Sequence, residues 1–253
     1  MRFASLGSGS RGNSLLVESG RTRVLIDAGF GPRETVRRLG RLGIDVADVD
    51  AILITHEHSD HIGGAFACSR RFEWPILLTA GTRVACRGGE VGTGFTIIDS
   101  HQPFEFGDLS VHPYSVPHDA REPVQFVLGN GVVRLGVLTD AGHVTGHMVA
   151  MLDGCDALVL ECNHDCDMLE RGSYPHALKR RIAGALGHLD NDAAGSLLER
   201  IDRTKLRHVI AAHLSEQNNT PELACDALCG PLNCSPDWIG IASQRLGFDW
   251  REL

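Results

Sequence analysis

The sequence contains no long apolar run and no excess of positive charge. No segment approaches the ~20 consecutive apolar residues that a membrane-spanning helix needs, so we expect no membrane partner. Residues 1–10, MRFASLGSGS, turn to glycine and serine too early for a secretory signal. The chain has 24 Lys and Arg against 32 Asp and Glu, a net charge of −8, which argues against a broad surface that coats nucleic acid.

The eight cysteines lack the C-x-x-C spacing of common zinc and redox motifs. The chain is also far longer than the small scaffolds that disulfides hold together. With 253 residues, 43% of them hydrophobic, it can bury one generous core. We therefore expect a single domain over residues 1–253, reduced thiols and a cytoplasmic location. Nothing in the sequence indicates an oligomeric state.

A glycine-rich stretch near the N-terminus, residues 7–12 (GSGSRG), matches G-x-G-x-x-G, and Asp27 follows at the distance typical of dinucleotide sites. A dinucleotide fold needs a helix to begin at this loop, whereas the two segments after Gly12 have the apolar pattern of strands. We predict no nucleotide cofactor. The loop still offers backbone N–H groups and the side chains of Ser10 and Asn13 to an anion, and a tight turn without a ligand is the alternative.

The densest polar segment is residues 51–64, AILITHEHSDHIGG. Its first four residues are too few for a helix and predict a buried strand. Three histidines and two carboxylates then follow within six residues, and in a packed core they would be costly unless a metal binds them. The spacing H-x-H-x-D-H lets His56 and His58 face one ion, and Asp60 and His61 a second. Imidazole with carboxylate suits zinc, and also manganese or iron. A solvated polar loop is the alternative.

Three further polar residues follow predicted strands. His118 follows a strand and a proline, Asp140 ends the apolar run before it, and His213 comes directly after the strand at 208–211. A single histidine after a strand is weak evidence by itself. Asp140 has a structural alternative, because it could cap a helix that begins near His143.

The H-x-H-x-D-H motif after a buried strand resembles the metallo-β-lactamase superfamily. This resemblance implies an α/β fold, an αββα four-layer sandwich, with the metal site at one edge of its two sheets. It implies two divalent metal ions, zinc first, with manganese or iron as alternatives. The implied ligands are His56, His58 and His118 for one ion, Asp60, His61 and His213 for the other, and Asp140 between them. Asp27 is then a hydrogen-bonding partner of a ligand histidine.

Later motifs narrow the resemblance. E-x-N-H-D at 161–165, G-H-L-x-N at 187–191 and H-L-S-x-x-N-N at 213–219, with the N-terminal G-S-G-S-x-G-N-S, look like the bacterial YycJ/WalJ-type metallohydrolases. That branch implies a metal-dependent nuclease, a 5′-to-3′ exonuclease on double-stranded DNA. One departure is Asp190, where relatives commonly have serine. The candidate supporting or substrate-binding residues are Asp27, Ser10, Asn13, Asn163, His164, Asn191, Ser215 and Asn218.

His188 remains outside both ligand sets. A histidine in a glycine-flanked loop titrates near neutral pH, so we expect it to stabilise the developing charge or to protonate the leaving oxygen. Its alternative role is to cap the following helix. The metal ions would lower the pKa of water toward ~7 and so supply the nucleophile for phosphodiester hydrolysis. Asp60 is the second residue that we expect to be catalytic.

Two other function classes stay open at this point. One is a small-molecule hydrolase, acting on a cyclic or small phosphodiester, a thioester or a lactone, because the same metal motif serves all of these. The other is a metal-binding or redox scaffold without turnover. Loss of label from one end of duplex DNA is predicted only by the exonuclease reading.

A helix is predicted from Pro32 to about Leu42, with Val36 and Leu39 facing inward. Its arginines at positions 33, 37 and 41 would then form a basic stripe on the outer face. Such a stripe is either a contact for the phosphodiester backbone or an ordinary solvated face.

Overall fold

The computed structural model describes residues 1–86 and 94–253. Within these ranges the chain forms strands, α-helices and two short 3₁₀ turns (Val46–Asp48 and Pro236–Trp238). The strands are β1 (Arg2–Gly7), β2 (Ser14–Ser19), β3 (Thr22–Ile26), β4 (Ala51–Leu53), β5 (Ile76–Thr79), β6 (Phe95–Ile98), β7 (Phe104–Phe106), β8 (Leu109–Ser115), β9 (Val124–Gly129), β10 (Arg134–Leu138), β11 (Ala157–Glu161), β12 (His208–Ala212), β13 (Gly240–Ile241) and β14 (Phe248–Glu252). The α-helices are α1 (Pro32–Arg41), α2 (Ser59–Ile62), α3 (Ala65–Phe72), α4 (Ala80–Ala85), α5 (Gly146–Leu152), α6 (Cys166–Arg171), α7 (His176–Ile182), α8 (Asn191–Arg200) and α9 (Pro221–Leu232).

The strands form two seven-stranded sheets, in the orders β14-β1-β2-β3-β4-β5-β6 and β13-β12-β11-β10-β9-β8-β7. One half of each sheet is antiparallel, while β3 to β6 in the first sheet and β10 to β13 in the second run parallel. Parallel neighbours end at the same edge of a sheet. The residues that follow β3, β4, β10, β11 and β12 are therefore brought to common edges.

Both faces of each sheet are covered. On β2, Leu15 and Val17 belong to the core between the two sheets, whereas Leu16 packs with the helices outside. The first sheet is covered by α1 and α3, and the second by α5, α8 and α9. This alternation follows from the two-residue period of a strand, which needs an apolar partner on each side. The predicted αββα sandwich is confirmed.

The N-terminal glycine-rich loop is followed by a strand. β2 begins at Ser14, two residues after Gly12, and no helix N-terminus is available there to hold a pyrophosphate. The loop is shaped by Gly9 and Gly12, whose φ angles of 138° and 143° disfavour any other residue type. The structure thus agrees with the exclusion of a dinucleotide fold.

Helix α1 corrects the prediction of its buried face. Val36 is 43% exposed, and Arg38 is buried beside Leu39. The Arg38 guanidinium stacks 4.0 Å from the Phe30 ring and donates to the backbone oxygen of Leu6. The prediction that Val36 faces inward was wrong because a long arginine stem can cover apolar surface while its charged end finds polar partners.

No helix of the described ranges is both long and apolar enough to cross a membrane. All eight cysteines are free thiols.

Candidate metal centre

Polar side chains from both sheets meet at one edge of the sandwich, each just past or at the end of a strand. Parallel order explains the meeting, because strands that run in one direction present their carboxyl ends together. The contributing residues are Asp27 after β3, Thr55 to His61 after β4, His118 after β8, Asp140 after β10, Glu161 at the end of β11 and His213 after β12.

One half of the site is a three-histidine group, made by His56, His58 and His118. A ring nitrogen from each lies within 4.8 Å of the others. Nδ1 of His56 lies 2.9 Å from Oγ1 of Thr55, and Nδ1 of His118 lies 2.9 Å from the oxygen of Gly187. These contacts occupy Nδ1 of both rings, which leaves Nε2 as the nitrogen for a ligand. Nε2 of His56 is buried without a hydrogen-bond partner among the described residues.

The other half is an aspartate group, made by Asp60, His61 and His213, whose ligand atoms again lie within 4.8 Å of one another. Nε2 of His61 and Nε2 of His213 are 3.2 and 3.3 Å from Oδ2 of Asp60. Nδ1 of His61 lies 2.7 Å from Oδ2 of Asp27. Both groups contain the residues that the spacing and the resemblance predicted for each ion, and the ligand assignment itself stays a prediction.

Asp140 lies between the two groups and is 1% exposed. Its Oδ2 is 3.1 Å from Nε2 of His61, and its Oδ1 is 3.8 Å from Nε2 of His118. Neither oxygen accepts a well-formed hydrogen bond from any described residue. Nitrogens of His188 and His213 also lie 3.3 and 3.4 Å from Oδ1, so without an ion the charge of this buried carboxylate is balanced, among the described residues, only by protonated imidazoles. A cation between the two groups would take their place. The donor set of imidazole and carboxylate fits a divalent metal.

The alternative role for Asp140, as a helix cap, is wrong. Helix α5 begins at Gly146, and its cap is Thr145, whose side chain accepts a hydrogen bond from the N–H of Met148. The carboxylate of Asp140 therefore does not cap a helix, and it lies with the other polar side chains at the edge of the sheets.

The two groups differ in the protonation of their histidines. Burial and the neighbouring His61 ring lower the pKa of His56 well below its usual value, and burial also lowers the pKa of His118. Burial opposes the charge on His61, but the carboxylates of Asp140 and Asp27 outweigh it and raise the pKa of His61 well above the usual value. Against the same effect of burial, Asp140, Asp60 and Glu161 raise the pKa of His213 to about 9. The aspartate group therefore holds protons where a cation would fit.

Two residues of the site have left-handed backbones, Asp27 with a φ of 63° and His213 with a φ of 55°. This region costs about 1–3 kcal/mol for a residue with a side chain, and it clusters at functional sites. Surrounding contacts maintain it: the N–H of Asp27 donates to Leu53, and the N–H of His213 donates to Oγ of Ser8. The fold thus accepts strain to aim these two side chains.

Asp27 supports both halves of the site. It is 2% exposed, and it accepts hydrogen bonds from the N–H and Oγ of Thr55 in addition to its contact with His61. Thr55 in turn contacts His56. Burial raises the pKa of Asp27 against the effect of His61. The supporting role of Thr55 was not predicted, because a threonine at the end of a strand has no sequence pattern that indicates such a role.

Glu161 is the most important residue of the site that was not predicted from the sequence. It is fully buried, and its Oε2 accepts hydrogen bonds from the N–H groups of Ala141 and Leu189. Its Oε1 lies 2.8 Å from Nδ1 of His188 and 3.2 Å from Nδ1 of His213. One carboxylate thus orients two histidines. A signal existed in the sequence, since Glu161 ends an apolar strand as Asp140 follows one.

His188 lies at the rim of the site with its side chain 21% exposed. Nδ1 faces Glu161, and it is also 3.3 Å from Oδ1 of Asp140. Burial opposes protonation, yet these carboxylates raise the pKa of His188 to about 10. Nε2 is the nitrogen left for an incoming molecule. The cap of α8 is Asp190, whose side chain accepts from the N–H of Ala193, so the alternative that His188 caps this helix was wrong.

The predicted supporting residues of the N-terminal loop separate into two kinds. Asn13 is buried, and its Nδ2 lies 3.0 Å from Oδ2 of Asp60 and 3.1 Å from Nε2 of His61. Its backbone N–H also donates to the oxygen of Asp60. Ser10 is exposed at the outer turn of the loop. Asn13 is therefore placed to position Asp60, while a contact of Ser10 with substrate stays a prediction.

The predicted residues of the distal motifs mostly hold loops. Asn163 donates to the backbone oxygen of His213, and Asn191 exchanges amide hydrogen bonds with Asn219 in the interior. Oγ of Ser215 accepts from the backbone N–H of Asn218. This geometry favours support of the His213 and His188 loops, and contact with substrate stays untested. His164 joins this network through its backbone oxygen, which accepts from the N–H of Asn191, and its side chain is considered below.

Comparison with known proteins agrees with this geometry. Residues 22–214 match the family model described as a beta-lactamase superfamily domain. The chain is 36% identical over 227 residues to exodeoxyribonuclease YycJ of Bacillus anthracis, covering 88% of this chain and 86% of that protein. It is 33% identical over 245 residues to exodeoxyribonuclease WalJ of Streptococcus pneumoniae serotype 2, covering 95% and 91%.

Among solved structures, the metallo-beta-lactamase fold protein YhfI from Bacillus subtilis superposes with a TM-score of 0.77 over 100% of this chain and 99% of that chain. The sequence identity is 15%, so this likeness concerns the fold alone.

Proposed function

This chain belongs to the β-lactamase superfamily, in the branch of the YycJ and WalJ exodeoxyribonucleases, and from that membership we propose that it is a metal-dependent nuclease. We propose that it removes nucleotides in the 5′-to-3′ direction from double-stranded DNA. The relatives are named for DNA hydrolysis and match over most of both chains, which favours DNA over a small molecule as the substrate.

The observation that carries the proposal is the state of Asp140. Its two buried oxygens lack hydrogen-bond partners among the described residues, and they lie between two groups of convergent ligand atoms. We propose two divalent ions, with zinc preferred and manganese or iron as alternatives, because the donors are imidazoles and carboxylates. His56, His58 and His118 would hold one ion, and Asp60, His61 and His213 the other, with Asp140 between them.

When bound, the two ions supply Lewis acidity and a nucleophile derived from water near neutral pH. The protein's contribution is to hold the ligand side chains in place through contacts with neighbouring polar residues. Asp27 holds His61, Glu161 holds His213, and Asn13 holds Asp60. Such supporting contacts set ring orientation and typically change metal affinity by about 10–100-fold.

His188 is proposed as the proton donor. Its Nδ1 is held by Glu161, and a protonated ring can therefore deliver the proton on Nε2 to the oxygen that leaves phosphorus. Glu161 keeps the ring in place through its contact with Nδ1. The P–O bond breaks as water adds to phosphorus, so the proton balances the charge on the leaving oxygen.

We further propose that residues 1–253 act as one domain, since the site takes residues from both sheets and from both ends of the chain. The eight free thiols support action in the reducing cytoplasm.

A nuclease assay tests the proposal. Duplex DNA labelled at either the 5′ or the 3′ end is incubated with the protein and Zn²⁺ or Mn²⁺, beside single-stranded DNA and RNA of the same sequence. We expect rapid release of the 5′ label from duplex DNA as a mononucleotide, with slow loss of the 3′ label. Turnover of bis-p-nitrophenyl phosphate without any loss of label from DNA would favour the small-molecule hydrolase instead.

A further inference from the structure

A second group of metal-binding side chains lies outside the candidate metal centre. A ring nitrogen of His164, Sγ of Cys166 and a carboxylate oxygen of Asp190 lie within 4.8 Å of one another. None of these residues belongs to the seven predicted ligands. His164 follows β11, Cys166 is the first residue of α6, and Asp190 precedes α8, so three separate elements converge here.

Backbone pairing fixes two members of this group. His164 and Asp190 form an isolated parallel β-bridge, and the N–H of Asn191 donates to the oxygen of His164 at 3.0 Å. The third member is held by its helix, where the side chain of Asp165 accepts from the N–H of Met168. The three donors are therefore preorganised, which lowers the entropic cost of binding an ion.

The histidine of the group is unsatisfied. His164 is 1% exposed, and its Nδ1 is buried without a hydrogen-bond partner in the described part of the chain. A buried nitrogen without a partner destabilises the folded chain. An ion bound to Nδ1 would remove that cost, and Cys166 is exposed, which offers a route for an ion to enter.

Charged groups of both signs surround the site. Burial and the carboxylates of Asp190, Asp192 and Asp165 raise the pKa of the Cys166 thiol to about 11, so an ion that binds there must displace the thiol proton. A cavity of ≈ 350 Å³ opens beside His164 and Cys166, and its far side carries Glu170 together with the basic residues Lys179 and Arg180. Oδ1 of Asp190 accepts from the N–H of Ala193 at 2.7 Å, and the Asp190 carboxylate also accepts from the Cys166 thiol, so the two side chains already meet where an ion would replace the thiol proton. The cavity provides room for a water molecule as a fourth ligand.

We propose that His164, Cys166 and Asp190 form a third metal site, selective for Zn²⁺ and completed by water from the cavity. Imidazole, thiolate and carboxylate are the donors that zinc prefers, and three protein ligands with one open position give a tetrahedral site. Asp190 follows His188 by two residues, so an ion here braces the loop that carries His188. The binding of an ion at this site does not depend on the proposed nuclease activity and can be measured without it.

Cobalt substitution tests this proposal without an activity readout. The reduced protein is stripped of metal with a chelator and titrated with Co²⁺ alone, and thiolate-to-cobalt charge transfer is followed in the near ultraviolet. The seven predicted ligands of the candidate metal centre contain no cysteine, so cobalt bound there gives no such band. We expect the band in the wild-type protein and its loss in Cys166→Ser. With Zn²⁺, Cys166→Ser should bind one equivalent less per chain than the wild type.

Two further variants sharpen the result. Asp190→Ser keeps a good helix cap for α8 and removes the carboxylate, so this variant should fold normally. Its affinity for the cobalt ion that gives the charge-transfer band should fall by at least about 10-fold. Cys229→Ser is the control, because Sγ of Cys229 lies 3.9 Å from Sγ of Cys234 and this pair is another possible source of thiolate. The control should keep the band. The proposal is overturned by a wild-type protein without the band, by a band that survives in Cys166→Ser, or by one that disappears in Cys229→Ser.

Discussion

The three-histidine group and the aspartate group face the same small space, yet they are supported in different ways. In the three-histidine group, His56 and His118 contact the neutral oxygens of Thr55 and Gly187, and the pKa values of these two histidines are lowered. Its third member, His58, faces the carboxylate of Asp119 at 3.4 Å. The aspartate group is held by the carboxylates of Asp27 and Glu161, and the pKa values of its histidines are raised.

The difference shows how the protein carries buried negative charge without an ion. The raised pKa values of His61 and His213 favour protonated rings beside the carboxylates of Asp27 and Asp140, whereas the lowered pKa values of His56 and His118 favour neutral rings. A cation that enters the aspartate group must therefore displace protons, whereas one that enters the three-histidine group meets neutral rings at His56 and His118. The two positions should differ in the pH dependence of metal binding.

The largest effect is expected when the aspartate group is broken. Asp60→Ala or His61→Ala should lower the metal content by one equivalent per chain and abolish turnover, because each removes a ligand of one ion. Elemental analysis and the end-labelled DNA assay measure the two effects. Glu57→Ala is the matched control from the same segment, since its carboxylate contacts the N–H of Arg121 instead. Wild-type metal content in both ligand variants would contradict the assignment.

The next effect concerns a residue beside the two groups that is not predicted to bind metal. His188→Ala should retain both ions and lower kcat on DNA by about 10²–10⁴-fold, the usual contribution of a general acid. The loss should be much smaller for a diester with a good leaving group, which needs no proton. His112→Ala, an exposed histidine on β8, is the control. Wild-type kcat on both substrates would count against the proton-donor role.

A smaller effect is expected when the carboxylate of Glu161 is neutralised. In the aspartate group, His213 should then bind its proton more weakly, as the buried histidines of the three-histidine group do. Glu161→Gln removes the charge behind His188 and His213 while keeping an oxygen acceptor, so the pKa values of both histidines should fall. Metal affinity should drop by about 10–100-fold, and fewer protons should be released on binding. Calorimetry in buffers of different ionisation enthalpy counts these protons. Glu199→Gln, an exposed site on α8, is the control, and equal proton release in all three proteins would refute the charge balance.

The same comparison predicts a pH dependence of the metal-free protein. The pKa values of His213 and His188 are raised to about 9 and about 10, above the ~6.5 of an unfolded histidine. Their contribution to stability is complete below about pH 6.5 and is lost as the pH rises through these folded-state values. The melting temperature of chelated protein should therefore fall across this interval, and that of zinc-loaded protein should fall less. Parallel curves for the two forms would contradict this prediction.

The smallest effect is expected far from both groups, on helix α1. Arg37 pairs with Glu34, and Arg41 pairs with Asp249 and donates to the oxygen of Ser5. Since these arginines already have partners, Arg37→Ala with Arg41→Ala should leave the salt dependence of DNA binding unchanged. A slope reduced by about 1–2 would instead show that the stripe contacts phosphate.

The sequence predicted those parts of the fold and site that depend on local pattern. The apolar strands and the contiguous residues 56–61 could be recognised because their neighbours in the chain are also their neighbours in space. The metal-binding roles of three distant residues were predicted only from the family resemblance, because the parallel order of the strands alone brings them together. These residues are His118, Asp140 and His213. Glu161 was not predicted, because it too reaches the site only through the order of the strands. Arg38 was missed because its burial depends on the ring of Phe30, which lies in the preceding loop.

The most direct test of the central claim is anomalous diffraction from crystals grown with Zn²⁺. We predict two zinc peaks at the edge of the sandwich, roughly 3.5–4 Å apart, with Asp140 between them, the three-histidine group around one and the aspartate group around the other. The absence of any peak among these seven side chains, or a single peak bound by one group with the other turned away, would contradict it.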